Sequence, residues 1–335
     1  MTLEQQFIEA LDRISSICTP EQIQDADTII SIKTPSLWNQ VPNNHVWRKK
    51  EHHGKKTEQE GRGILASMGV DTEKNCGARL ALFCAKHHDH GRVIEVKYGN
   101  KIFPQGFEQG ATHGGHTMTL LYFWGALKPF RPDVIDIIHR AIATHSDKIS
   151  PEMPPEPSPI DQAATLFAWF TRDIDKLTFY HHEVPACIFS NQERIGQSKI
   201  IHEGYNENYS SRDNFISPEI LKSYLTRMTD GGKTHVERAD MRNNCDYMLQ
   251  VASQICDVKY NTILQEIIKT NAIQLILGYL SHIQTWGIYK DILSATRQYL
   301  ISRGVAGENF GEKPNDYYNH YKHSFNCPIC KELGV

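Results

Sequence analysis

The stretch CGARLALFCAKHHDHGR, residues 76–92, most constrains what this chain can fold into. Apolar side chains at 78, 80, 82, 83 and 85 have the density of a buried helix, and the pattern then turns at once into His87, His88, Asp89 and His90. A buried helix can end in imidazoles and a carboxylate only if other polar groups meet them, because an unpaired charge inside a protein is costly. The chain holds such partners. Its seventeen histidines cluster at 45–53, 87–90, 113–116, 139–145 and 181–182. Imidazole and carboxylate oxygen are the ligands that divalent Fe, Mn and Zn prefer, and a metal site needs several of them converging in space.

The rest of the chain predicts a mainly α fold. In TPEQIQDADTIISI, Thr19 is placed as an N-cap and Pro20 as the first helical residue. GRGILASMGV continues a helix begun near Glu51, and THGGHTMTLLYFWGAL, PDVIDIIHRAIATHS and PIDQAATLFAWFTRDIDKLTFYHH are further helices. So are SPEILKSYLTRM, ADMRNNCDYMLQVASQICDV, YNTILQEIIKTNAIQLILGYLSHI and YKDILSATRQYLISRG. The prolines of ISPEMPPEPSPID cannot lie inside a helix and predict a surface loop. Residues 96–103 suit a short strand or hairpin around Tyr98-Gly99-Asn100, and residues 185–214 are polar and irregular. The expected organisation is an N-terminal helical segment (1–44), a metal-binding core (45–185), a C-terminal helical part (186–305) and a polar tail (306–335).

Composition narrows the function. A net charge of −3 carries no nucleic-acid footprint. No apolar run approaches the ~18–20 residues of a membrane span. MTLEQQFIEALDRI reads as an amphipathic helix and not as a signal peptide. Cys84 and Cys256, of eight scattered cysteines, sit in apolar helical patterns as reduced thiols would. A cytoplasmic protein without nucleic-acid or membrane partners is expected; oligomeric state is not legible.

The histidine clusters and their flanks resemble the HD-domain superfamily of metal-dependent phosphohydrolases, in its dinuclear branch. That branch carries His, His-Asp, His, His and Asp in order on successive helices of an α-bundle. EHHGKKTEQEGRGILASMG matches the opening helix, with His53 as first ligand and Gly69 ending it. LALFCAKHHDHGR supplies His88 and Asp89, FEQGATHGGHTMTLL supplies His113, IIHRAIATHSD supplies His145, and WFTRDIDKLTF closes with Asp175. The resemblance covers about residues 45–285, where Asp257 follows an apolar helix as in one bacterial subgroup. Three features depart from the family: His87 and His90 replace apolar neighbours of the His-Asp pair, Thr57 and Glu58 stand where an apolar residue is usual, and Asp173-Ile174-Asp175 replaces Asp-Ala-Asp.

The resemblance implies an HD helical bundle with an additional C-terminal helical region and two divalent metal ions (Fe, Mn or similar) bridged by Asp89. It also implies hydrolysis of a phosphate ester, with a phosphorylated small molecule as the expected partner. Arg92 and Lys176 are the residues expected to hold phosphate, since guanidinium matches phosphate oxygens bidentately. Glu95 or Asp173 is a possible carboxylate behind a ligand imidazole. His52 competes with His53, and His116 with His113. Other activities on the same ligands are a di-iron oxygenase, a phosphodiesterase acting on a protein-linked phosphoribosyl group, and a non-catalytic binding module. His320, His323, Cys327 and Cys330 form a second ligand-like set, but the two pairs are too closely spaced for an ordinary zinc finger.

Overall fold

The computed structural model describes residues 1–39, 44–94, 112–147, 150–189, 215–237, 240–307 and 309–311. Among these residues the fold is helical throughout, with no β-strand, and no helix is long and apolar enough to cross a membrane. The hairpin expected at 96–103, Glu95 and the His320–Cys330 set lie outside the described residues. The chain divides into two compact units, Met1–Thr178 and Phe179–Val335.

The first unit contains α1 (Leu3–Ser15), α2 (Pro20–Trp38), α3 (Asn44–Ser67), α4 (Cys76–His87), α5 (His113–Trp124), α6 (Pro132–Ala143) and α7 (Pro159–Thr178). Sequence chemistry sets most of these ends. Thr19 caps α2 in a reciprocal capping box with Gln22, and Pro20 opens the helix. Asn75 caps α4 by accepting from the Ala78 N–H, and Thr112 caps α5 by accepting from the Gly115 N–H. Helix α3 starts at Asn44, before the expected Glu51, and stops before Gly69, whose φ of +80° reverses the chain.

Helix α7 is the hub. It packs on α1, α3, α4 and α6, while α5 packs on α6 and on α2. Its apolar residues Ala164, Leu166, Phe167, Phe170, Ile174 and Leu177 are buried. Phe7 of α1 stacks on Phe170 at 4.8 Å between centroids and meets Phe167 edge-on at 5.7 Å. A fully buried side chain of this size contributes roughly 1.5–3 kcal/mol by transfer from water. This aromatic contact fixes the middle of α7, and with it the last turns that carry Asp175.

The second unit contains a short π-helical turn (Phe179–Glu183), α8 (Val184–Phe189), α9 (Pro218–Thr229), α10 (Asn244–Ser253), α11 (Asn261–Lys269), α12 (Ala272–Ile283) and α13 (Trp286–Ser302). Residues 185–189 are therefore helical, at the start of the stretch expected to be irregular. The run YNTILQEIIKTNAIQLILGYLSHI, read as continuous, breaks at Asn271, whose φ of 59° is the left-handed conformation that asparagine tolerates. Buried polar groups hold this unit together. The Asp246 carboxylate accepts from the Ser217 N–H, the Ser217 hydroxyl and the Arg242 N–H at 2.6–2.8 Å. Asp257 pairs with buried Arg227 at 2.6 Å, and Arg227 also donates to the Ser253 and Gly232 carbonyls.

Candidate metal centre

The six residues of the expected ligand set come from three helices of the first unit, α3, α5 and α7, and from the turns that follow α4 and α6. They converge in space. His53, His88 and Asp89 form one cluster able to hold a metal ion, and Asp89, His113 and His145 form another; all five are buried. Asp89 belongs to both. Its Oδ1 lies 3.2 Å from His113 Nε2 and 3.7 Å from His145 Nε2, while its Oδ2 lies 3.8 Å from His88 Nε2. Asp175 closes the first cluster, with Oδ1 at 2.8 Å from His53 Nε2 and 3.3 Å from His88 Nε2. His52 and His116 belong to neither cluster.

Hydrogen bonding sets the tautomers that a metal requires. His88 Nδ1 lies 2.6 Å from the Ala85 carbonyl, and His145 Nδ1 lies 2.6 Å from the Ile142 carbonyl. A carbonyl only accepts, so each Nδ1 carries a proton and each ring turns its Nε2 inward. His88 Nε2 is buried, 3.3 Å from Asp175 Oδ1 and 3.8 Å from Asp89 Oδ2. His145 Nε2 faces His113 Nε2 at 2.9 Å. This donor set of inward-facing imidazole nitrogens and carboxylate oxygens fits divalent ions. Backbone carbonyls, and not the expected carboxylate of Asp173, thus stand behind these two imidazoles.

Electrostatics agree with this arrangement. Burial, with neighbouring His88 adding to it, lowers the His145 pKa to about 3, so its ring is neutral and able to ligate at neutral pH. Burial pushes the Asp175 carboxyl upward, but the charge of His88 and hydrogen bonds from His53 and His88 hold it well below the usual range.

The departures at 57, 87 and 90 also have partners. Thr57 is buried and donates to the His53 carbonyl at 2.8 Å. His87 is buried against Asp27 of α2, with 2.7 Å between Nε2 and Oδ1, and Lys86 reaches the same oxygen at 2.7 Å. His90 lies beside His87, with its ring edge-on to Trp124. Arg92 places Nε 3.5 Å from Asp89 Oδ1, with about a fifth of its side chain exposed. Lys176 is buried on α7, one residue beyond Asp175. Arg172 secures the turn carrying His145 by donating to the His145 carbonyl at 3.2 Å and to the Asp147 carbonyl.

Three glycines complete the site, and each directly follows a histidine in sequence. A Cβ on Gly54 would strike the Lys86 carbonyl, one on Gly91 the His113 carbonyl, and one on Gly114 the carbonyls of Ile142 and Ala143, all closer than real Cβ atoms approach. The backbones at His53, Asp89, His113 and His145 are therefore linked in a chain of direct contacts. Asp27 offered no local signal, but the repeated His-Gly step at 53–54, 90–91 and 113–114 was readable. No family model, curated protein or solved structure matches this chain.

Gly114→Ala is expected to cost about 1–3 kcal/mol by overpacking α5 against α6 and to weaken Mn²⁺ binding. Gly63→Ala, where nothing lies within 4 Å, should be neutral or stabilising. Thermal unfolding and metal titration of both variants check this, and equal behaviour would contradict the close-approach role.

The depressed His145 pKa also predicts a pH dependence. An unfolded histidine titrates near pH 6.5, so on acidification from about 6.5 toward 3 the unfolded chain takes up a proton that the folded ring refuses. Stability of the metal-free protein is complete above that window and falls within it. Urea midpoints between pH 7 and pH 4 should show this drop, and His145→Gln should reduce it.

Proposed function

We propose that this chain is a divalent-metal-dependent phosphohydrolase of the HD type, cleaving a phosphate ester of a small molecule. One observation carries the reading: the two buried clusters share Asp89, with Oδ1 toward His113 and His145 and Oδ2 toward His88. The ordered resemblance along the sequence supports it. His53, His88, Asp89 and Asp175 would hold one ion, and Asp89, His113 and His145 the other. Two divalent ions so held supply Lewis-acid charge for phosphoryl oxygens and lower the pKa of water, giving a nucleophile near neutral pH.

The remaining chemistry belongs to the side chains. Asp89 offers its two oxygens to opposite sides of the centre, and the carbonyls of Ala85 and Ile142 keep the His88 and His145 rings oriented. Arg92 begins beside Asp89 at the partly exposed edge of the site, where its planar guanidinium can take two oxygens of a phosphate and orient the ester over the clusters. Lys176 is the second cationic group assigned to phosphate binding. Burial of His53, His88, Asp89, His113 and His145 keeps bulk water from these groups, which strengthens the charge interactions among them.

The test is release of p-nitrophenolate from bis-p-nitrophenyl phosphate with Mn²⁺. Wild type should turn over, chelation should stop it, and Asp89→Ala should abolish it. Arg92→Ala should lower kcat/KM roughly 10–100-fold, the loss of a charged hydrogen-bond pair. Turnover that survives both chelation and Asp89→Ala would contradict the proposal. So would consumption of dioxygen with no ester cleaved.

A further inference from the structure

Thr117 is fully buried on α5, one turn beyond His113. Its hydroxyl oxygen accepts from the Gly91 N–H at 2.7 Å, in the turn that follows the His88-Asp89 pair. Its single O–H proton lies between two carbonyls, that of His88 at 2.8 Å and that of His113 at 2.9 Å. A buried threonine in a helix ordinarily donates to the carbonyl four residues back, here His113. In this chain the same hydroxyl also reaches the backbone of a ligand from the other cluster.

We infer that Thr117 is a positioning residue that couples the two metal sites, so that an ion at one orders the backbone at the other. This rests on the dinuclear reading above. Asp89 links the clusters through its side chain, while Thr117 links them through main chain alone, tying His88 to His113 without touching either imidazole. Gly91 makes the link possible, because its missing Cβ lets the turn lie directly on the His113 carbonyl and the Thr117 N–H. Removing the hydroxyl leaves the buried Gly91 N–H without its acceptor and releases the His88 turn from α5. Each cluster can then adjust alone. Coupling of this kind is reciprocal: whichever ion binds first strengthens binding of the second by the same factor.

The experiment is titration of the metal-free full-length chain with Co²⁺, read by calorimetry and by the visible ligand-field bands. Wild type should take up two ions in one joint step. Thr117→Val, nearly isosteric but without a hydroxyl, should bind about tenfold more weakly, in the range seen when groups supporting metal ligands are lost, and in two separate steps. Thr117→Ser, which keeps the hydroxyl, should restore the joint step. If the valine variant does not fold, Thr117→Ala carries the same comparison. A purely structural role would lower the thermal stability of Thr117→Val while leaving the joint step and its affinity intact, and that result would overturn the coupling alone. Wild type that binds no Co²⁺ would overturn the dinuclear reading, and the coupling with it.

Discussion

The carboxylate of Asp89 is the group on which the first unit depends. It is 5% exposed. Removing such a charge from water costs several kcal/mol unless it is paired and hydrogen-bonded. Its surroundings meet that demand from both sides, with His113 and His145 facing one oxygen, His88 the other, and Arg92 at the edge. The His88 and His145 imidazoles in turn are oriented by backbone carbonyls, so the site's precision comes from where helices and turns end. A helix that terminates in a buried His-Asp pair therefore dictates the placement of α3, α5, α6 and α7 around it.

Backbone proximity is the means by which that placement is achieved. Gly54, Gly91 and Gly114 let successive histidine-bearing segments touch main chain to main chain, where even a methyl group would collide. The outer layer follows the same logic of satisfied polarity. His87 is held by Asp27, Thr57 by the His53 carbonyl, and the His145 turn by Arg172. In the second unit, the Arg227–Asp257 pair and the Asp246 carboxylate with its three donors do comparable work in fixing helix ends. Asp257, singled out by its place after an apolar helix, thus has an ion-pairing role within that unit.

Much of this was legible in the sequence, because it depends on local chemistry. Thr19-Pro20 announces α2, the density of apolar residues announces α4, and the proline run announces the break before α7. The histidines and aspartates that converge could be read because they lie on or directly after helices whose periodicity is clear. What could not be read depends on contacts distant along the chain or on single backbone angles. Nothing near Asp27 indicates that it will receive His87 from α4. The left-handed turn at Asn271 lies inside an apolar pattern that periodicity alone would continue. Asp173, a carboxylate beside the site in sequence, was a reasonable support for a ligand imidazole, but for His88 and His145 the nearest acceptor lay three residues back on the same backbone. His113, favoured over His116 from its flanking residues, is the one that faces His145 once α5 is packed against the end of α6.

The most direct measurement is elemental analysis of freshly purified full-length protein, with Asp89→Ala prepared beside it. Two Fe, Mn or similar divalent ions per chain in the wild type, lost when the shared carboxylate is removed, are the predicted result. A chain that binds no metal even after supplementation would contradict a dinuclear centre at Asp89. So would a metal content that Asp89→Ala leaves unchanged.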